Sequence, residues 1–396
     1  MGTISVQSFF YDFFGVVISA VYLWFPAITA YYAWKFWMYY IRLRYVSEID
    51  WVLLEIKLPR EMPKSPQVME IILSAMHQTS SIVAINKYWQ GRVPTWYGLE
   101  IISKEGSIHF YFYVQKSFRS IVEFQIYAHY PEVEIHEAAD YTKDFIGEDI
   151  EVSKKNWQIH SAEYILIKED AYPIKTYVDY KLDKMETEEE MKNDPFASLV
   201  ELMGTMKEGE HLWYQILIRK TGTKWKDTGA KIVDKIMKRD KKKEGEEIDF
   251  GAMRLSPGEH LITEAIERNV SKLGFDVCIR FVYIAKPDKF RFAVSNSIRG
   301  SMQQFNSLNL NGFKRFNSVN YVDYFFKKTR EGWKKRRMFD AYINRSAFCK
   351  PYKRRTFVLN TEELATIYHF PGSVVRTPAL GRIESKKVEP PADLPV

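Results

Sequence analysis

The chain has 396 residues, of which 46% are hydrophobic and 27% charged. That balance belongs to a folded protein, and the length allows two domains of ordinary size. Its two cysteines, Cys278 and Cys349, lie far apart with no CxxC spacing, which excludes a zinc ribbon and a disulfide framework and suits a reducing compartment. A net charge of +7 favours acidic partners, whether anionic lipid, nucleic acid or an acidic protein face, without choosing among them.

The first stretch to stand out runs from Phe13 to Trp34 and contains no charged residue. A helix needs roughly 20 mostly apolar residues to cross a bilayer, so the stretch reads as one membrane span. Asp12 precedes it, whereas Lys35, Arg42 and Arg44 follow, and the positive-inside tendency then places the rest of the chain in the cytoplasm. Residues 1–46 are thus expected to form a transmembrane anchor and juxtamembrane helix in the inner membrane, with Tyr31, Tyr32, Trp34, Trp37, Tyr39 and Tyr40 as an interfacial belt. Pro26 can kink such a helix without breaking it. A cleaved signal peptide needs a basic start, which residues 1–12 lack. The opening MGTISV places Val6 where a myristoylation signal wants Ser or Thr.

Beyond the anchor, residues 47–150 follow a β-α-β-β-α-β pattern. Asp50 to Leu58 alternates as a strand, and Pro66 starts a helix with Val68, Ile71, Ile72, Ala75, Met76 and Thr79 on one face. Strands 96–103 and 107–114 flank the turn residues Lys104, Glu105 and Gly106 as a hairpin. A helix over 117–129 carries Ile121, Phe124 and Ala128 with Val122 and Ile126 beside them, and 133–135 closes the set as a strand. This is the split βαβ order of ferredoxin-like domains, whose two helices cover one sheet face.

A second such domain is expected over 151–310. It uses strands at 163–168 and 174–180, a helix with Phe196, Leu199, Val200, Met203 and Met206 on its core side, and a strand at 211–219. A helix then begins at Ser256 and Pro257 with Glu259 completing a capping box, and 275–285 is an apolar strand. A charge-dense insertion, 220–250, interrupts the unit and reads as a solvated helix with Ile232, Val233, Ile236 and Met237 on one sticky side. The fold class is therefore α+β: a single transmembrane helix, two tandem ferredoxin-like units, and a helical and extended C-terminal segment.

Residues 311–357 are basic and aromatic. Lys327, Lys328, Lys334, Lys335, Arg336, Arg337, Lys353, Arg354 and Arg355 are candidates for contact with an anionic membrane or with single-stranded DNA, since Trp333, Phe325 and Phe326 interleave with them. In the tail, 358–396, Thr361 in a capping position opens a short helix with Leu364, Ile367 and Tyr368 on its apolar side. Pro378, Pro390, Pro391 and Pro395 then favour an extended chain, whose Val374, Val375, Leu380, Ile383 and Leu394 are candidate docking residues.

Chemistry leaves little trace. There is no G-x-x-x-x-G-K-[ST] phosphate cradle, no HExxH and no G-x-S-x-G, so no enzyme, cofactor or metal site is expected. His129 and His136 with Glu132 and Glu134 straddle a helix-to-strand corner and read as surface polar residues.

The stretches 73–79, 98–142 (with EFQIYAHYPEVEI) and 358–395 (with LNTEELATIYHFP) resemble the membrane-proximal region of the large type IV secretion and conjugation-type ATPases of reduced-genome bacterial lineages. In that family the tail leads into a RecA-like motor, and this sequence stops at Val396, where such a motor would begin. The resemblance implies the anchoring and docking half of a secretion-type machine, with a separate P-loop motor ATPase as partner; a homo-oligomer is a further candidate partner that the resemblance does not decide. The matching residues are structural or interface positions, so no catalytic residue is carried over.

Overall fold

The computed structural model describes residues 6–59, 65–77, 83–145, 156–183, 193–237, 255–318 and 325–372, and in the first helix it leaves out the side chains of residues 6–14, 16, 18–20 and 23. Two compact units emerge, one of residues 1–49 with 80–94 and the other of 50–79 with 95–396.

In the first unit, α1 (Val6–Ser47) is a single 42-residue helix that continues through Pro26. Tyr22, Phe25, Tyr31, Tyr32, Trp34, Phe36 and Tyr40 are exposed along it. The helix α3 (Ala84–Trp89) meets it through Trp37 and Trp89, whose rings lie edge to face, and through Trp34 and Tyr88. Gly91 sits at φ +68° where a Cβ would fall 2.4 Å from the Ile41 carbonyl oxygen, so only glycine fits this close approach. Among the described residues no helix is long and apolar enough to cross a membrane. Much of the apolar run read from the sequence, including Phe13, Phe14, Val16, Ile18 and Leu23, consists of side chains outside that description.

The second unit is organised by a nine-stranded sheet, counted among the described residues. Its first half contains β1 (Trp51–Lys57), β2 (Trp96–Lys104), β3 (Ser107–Gln115) and β4 (Glu134–Ala138) in the order β4-β1-β3-β2. The second half contains β5 (Gln158–Leu166), β6 (Glu210–Lys220), β7 (Gly274–Ala285) and β8 (Phe313–Ser318) in the order β6-β7-β5-β8. All neighbours are antiparallel. The halves join edge to edge where β2 pairs with β6 from Trp96↔Arg219 to Lys104↔His211, which leaves both strands without a free edge. A short strand, β9 (Phe357–Asn360), extends the sheet along the start of β7.

Successive side chains of a strand point to opposite faces, and both faces of this sheet are covered. On one face Leu54, Leu99, Phe110, Phe112, Ile216 and Phe281 join a core with residues of α2 (Gln67–Met76), α4 (Arg119–His129), α5 (Pro195–Gly204), α8 (Phe292–Gln303) and α10 (Thr361–Ile367). On the other, Leu53, Ile102, Tyr111, Trp213 and Ile284 meet Phe145 together with Phe339 and Tyr342 of α9 (Lys327–Ile343). Burial on both faces explains why β6 and β7 read as near-continuous apolar runs.

Several sequence expectations are corrected. No strand forms over 174–180: this stretch is turn, because the amides of Ile174 and Tyr177 donate to Glu363 Oε1 and Thr366 Oγ1 of α10 instead of to a neighbouring strand. The helix begun by Ser256 is present as α7 (Pro257–Ser271) with its capping box, but it packs against α6 (Lys224–Ile236) through Ile266, Val233 and Ala171 rather than over the sheet. The inserted segment therefore takes in α6 and α7 together, and α8 is the helix that covers the second half. On α4 the core side is Val122 and Ile126, while Phe124 is 66% exposed. Two apolar stripes of equal spacing lie on that helix, and periodicity cannot choose between them. Thr361 is the first residue of α10, and the cap is Asn360, whose side chain accepts from the Glu363 amide while Glu363 accepts from the Asn360 amide.

Candidate membrane and docking surfaces

The basic aromatic segment divides at α9. One side of this helix carries Met338, Phe339 and Tyr342 into the core. Lys335 projects on the same side, and its burial pushes its pKa down to about 8. Lys334 is half-buried and donates to the Ser318 carbonyl 2.7 Å away. Arg336 and Arg337, the other half of the KKRR run, are exposed, as are Lys328 and Lys353. Lys327 is half-buried. Arg354 turns inward, its Nε 3.1 Å from Glu163 Oε1, and Arg355 is exposed with its guanidinium 5.4 Å from the Phe316 ring centroid. Nine candidate cations on a sequence thus become two groups: Lys334, Lys335 and Arg354 serve the fold, and the others face solvent wholly or in part. Trp333 is 76% exposed on the outward side, between Arg330 and Arg337 along the helix.

Arg345 follows α9 and is 1% exposed, although the sequence groups it with the basic run. It occupies the left-handed region at φ 45°, where helix ends usually place glycine. The Ser346 amide bonds the Ala341 carbonyl and the Arg345 amide bonds that of Tyr342, the double bond of a Schellman end. What holds a bulky residue there is its side chain. Nε and Nη2 donate to Glu100 at 2.9 and 3.2 Å, and Nη1 and Nη2 donate to Asp140 at 2.7 and 3.0 Å. Burial disfavours the charged guanidinium, but Glu100 and Asp140 outweigh it and hold its pKa well above the ordinary value. Burial likewise pushes the Asp140 carboxyl up, and the bonds and charge of Arg345 more than reverse this.

Glu100 belongs to a polar row that crosses the sheet beneath α9. In register, Glu100 pairs with Gln215, Gln215 with Arg280, Arg280 with Glu163, and Glu163 with Asn317. Gln215 Nε2 donates to Glu100 Oε1 at 2.8 Å, Arg280 Nη1 donates to Gln215 Oε1 at 3.3 Å, and Asn317 Nδ2 donates to Glu163 Oε2 at 2.8 Å. Arg280 also donates to the carbonyls of Ala341 and Ser346, which fastens the end of α9 to the sheet. Carboxylates of Glu100, Asp140 and Glu163 face guanidiniums of Arg345, Arg280 and Arg354, so the charges balance. A charge-balanced buried set of this kind positions a helix, with Glu163 Oε1 held by ion-pair contacts to Arg280 Nε at 3.4 Å and Arg354 Nε at 3.1 Å rather than by hydrogen bonds. Its sequence signal was a polar residue in the middle of each of the apolar strands β2, β6 and β7, whereas Glu163 lies in the polar-rich β5, which begins at Gln158 rather than at the expected residue 163.

The tail helix α10 is buried on all sides. Glu362 accepts from Thr176 Oγ1 at 2.5 Å, pairs with Arg268, and lies 2.7 Å from Lys272 Nζ. His369 Nε2 is 3.0 Å from Asp194 Oδ2, and the Tyr368 hydroxyl donates to the Tyr111 carbonyl. A cleft lined by Thr176, Asp179, Arg268, Asn269 and Glu362 has a volume of about 40 Å³, room for water. Among the described residues no cluster of His, Cys, Asp or Glu could hold a metal ion. The docking candidates Val374, Val375, Leu380, Ile383 and Leu394 lie outside the described residues.

Residues 46–381 match the family described as Domain of unknown function (DUF8128). The chain belongs to the DUF8128 family. The match begins at the end of α1 and takes in both halves of the sheet, the polar row, α9 and α10. No curated protein matches the chain.

Proposed function

We propose that this DUF8128 protein is a non-enzymatic scaffold, anchored in the inner membrane by one pass of α1, whose cytoplasmic part docks a separate P-loop motor ATPase of a type IV secretion or conjugation-like machine. One observation carries the reading: an uncharged run from Phe13 to Trp34 inside a 42-residue helix, followed directly by Lys35, Arg42 and Arg44. In this reading each half of the sheet is a ferredoxin-like unit. The order β4-β1-β3-β2, repeated as β8-β5-β7-β6, supports it. The secretion context rests on the resemblance of 98–142 and 358–395. These 396 residues contain no phosphate-cradling loop, and a separate P-loop motor is the partner the resemblance implies.

The tail after Pro371 is the proposed docking element. Full-length protein purified from its native membranes should carry an ATP-hydrolysing partner, and protein truncated after Pro371 should lose that activity with its own melting temperature unchanged. Equal activity in both preparations, or none in either, would remove the tail from this role.

A second reading, a membrane-tethered single-stranded nucleic-acid-binding protein, is favoured by Trp333, exposed among arginines.

A further inference from the structure

We infer that the outward stripe of α9 is a peripheral docking surface for anionic lipid headgroups, with Trp333 and Phe326 as interfacial anchors and Arg336 and Arg337 as phosphate ligands. The inference rests on the membrane-anchored reading and deepens it by naming where the sheet unit meets the bilayer surface.

At 3.6 residues per turn, Arg330, Arg336 and Arg337 are three or four positions from Trp333 and surround it on one face. Phe326, the left-handed cap residue before the first turn of the helix, is 82% exposed. The opposite face is committed to the core by Met338, Phe339 and Tyr342. Rotation of α9 to bury Trp333 would expose these three and break the Arg280 and Arg345 bonds at its C-terminal end. The exposed aromatic is therefore fixed in place. An ordinary solvent-facing stripe carries mixed charges and small residues. Within this helix the acids are Glu331, which lies toward the inner side, and Asp340, one turn beyond Arg336 at the far end of the stripe.

The residue types suit a lipid surface. Trp and Phe at a lipid interface place their rings at headgroup level, and arginine stems lie along apolar surface while the guanidinium bonds phosphate. Each cation that reaches an anionic surface adds to the attraction and is weakened by salt. Lys334 and Lys335 take no part, since the first donates to Ser318 and the second faces inward.

The test uses the full chain with Cys278→Ala and Cys349→Ser, carrying Trp333→Cys labelled with an environment-sensitive dye and reconstituted in nanodiscs. Phosphatidylcholine discs containing phosphatidylglycerol should shift the emission to the blue and allow quenching by brominated lipid. Pure phosphatidylcholine discs should do neither. High salt or R336E with R337E should abolish the shift, and a dye at Leu308, which is fully exposed on another part of the fold, should not respond. Emission indifferent to anionic lipid overturns the inference. So does a response to a single-stranded oligonucleotide in place of lipid, which would assign the stripe to nucleic acid. A chain that does not enter discs at all sinks the anchor rather than the stripe, on which the same labelled chain then reports against anionic vesicles added from outside.

Discussion

Arg345→Met should destabilise the protein by about 3–5 kcal/mol, because it leaves Glu100, with 0% exposure, as a buried carboxylate facing Asp140 without its shared cation. Thermal unfolding should register this as a fall in melting temperature on the order of 10 °C. The loss is not the worth of an ion pair. It is mainly the cost of stranding one charge, so Glu100→Gln combined with Arg345→Met should recover a large part of it. The side chain also holds its own backbone in the left-handed region, and Arg345→Gly should therefore suffer less than Arg345→Met from backbone strain while losing the same bonds. Single-mutant loss below about 1 kcal/mol would mean that water reaches Glu100 and that the polar row is not the clamp described above.

Ending the chain after Asn360 should abolish cooperative folding, whereas ending it after Pro371 should leave the melting temperature nearly unchanged. The difference is α10 and the residues behind it. Leu364, Ile367, Tyr368 and Phe370 are each 2% exposed or less. At about 1.5–3 kcal/mol for each buried side chain, their removal costs about as much as the whole stability of an ordinary domain, 5–15 kcal/mol. Glu362 would also leave Arg268 and Lys272 without their common partner. Circular dichroism on both truncations separates the outcomes. A cooperative transition without α10 would make the helix an accessory rather than the keystone of the helical face.

Elements with a strong local signal were legible in the sequence: the hairpin turned by Glu105 and Gly106, the capping box at Ser256, and the apolar strand before Ala285. What sequence could not supply was context. Residues 174–180 alternate like a strand, but their backbone partners are side chains from a helix nearly two hundred positions away. Phe124 and Val122 obey the same helical spacing, and only the position of the sheet decides which is buried. The KKRR run is uniform in type, yet a single step of about 100° around the helix turns Lys335 inward and Arg336 outward. Arg345 was hidden by the same uniformity. Glu100, Gln215 and Arg280 were visible as polar residues in the middle of apolar strands, Glu163 stood at the expected start of its own, and their alignment into one row is a property of register alone.

The anchored reading stands or falls on α1. Membranes from cells expressing the full chain should be washed with alkaline carbonate, alongside a variant lacking residues 1–46, and pellet and supernatant compared. A true span is expected to hold the full chain in the pellet while the shortened protein is released folded into the supernatant. Release of the full chain by carbonate would contradict a membrane-spanning helix.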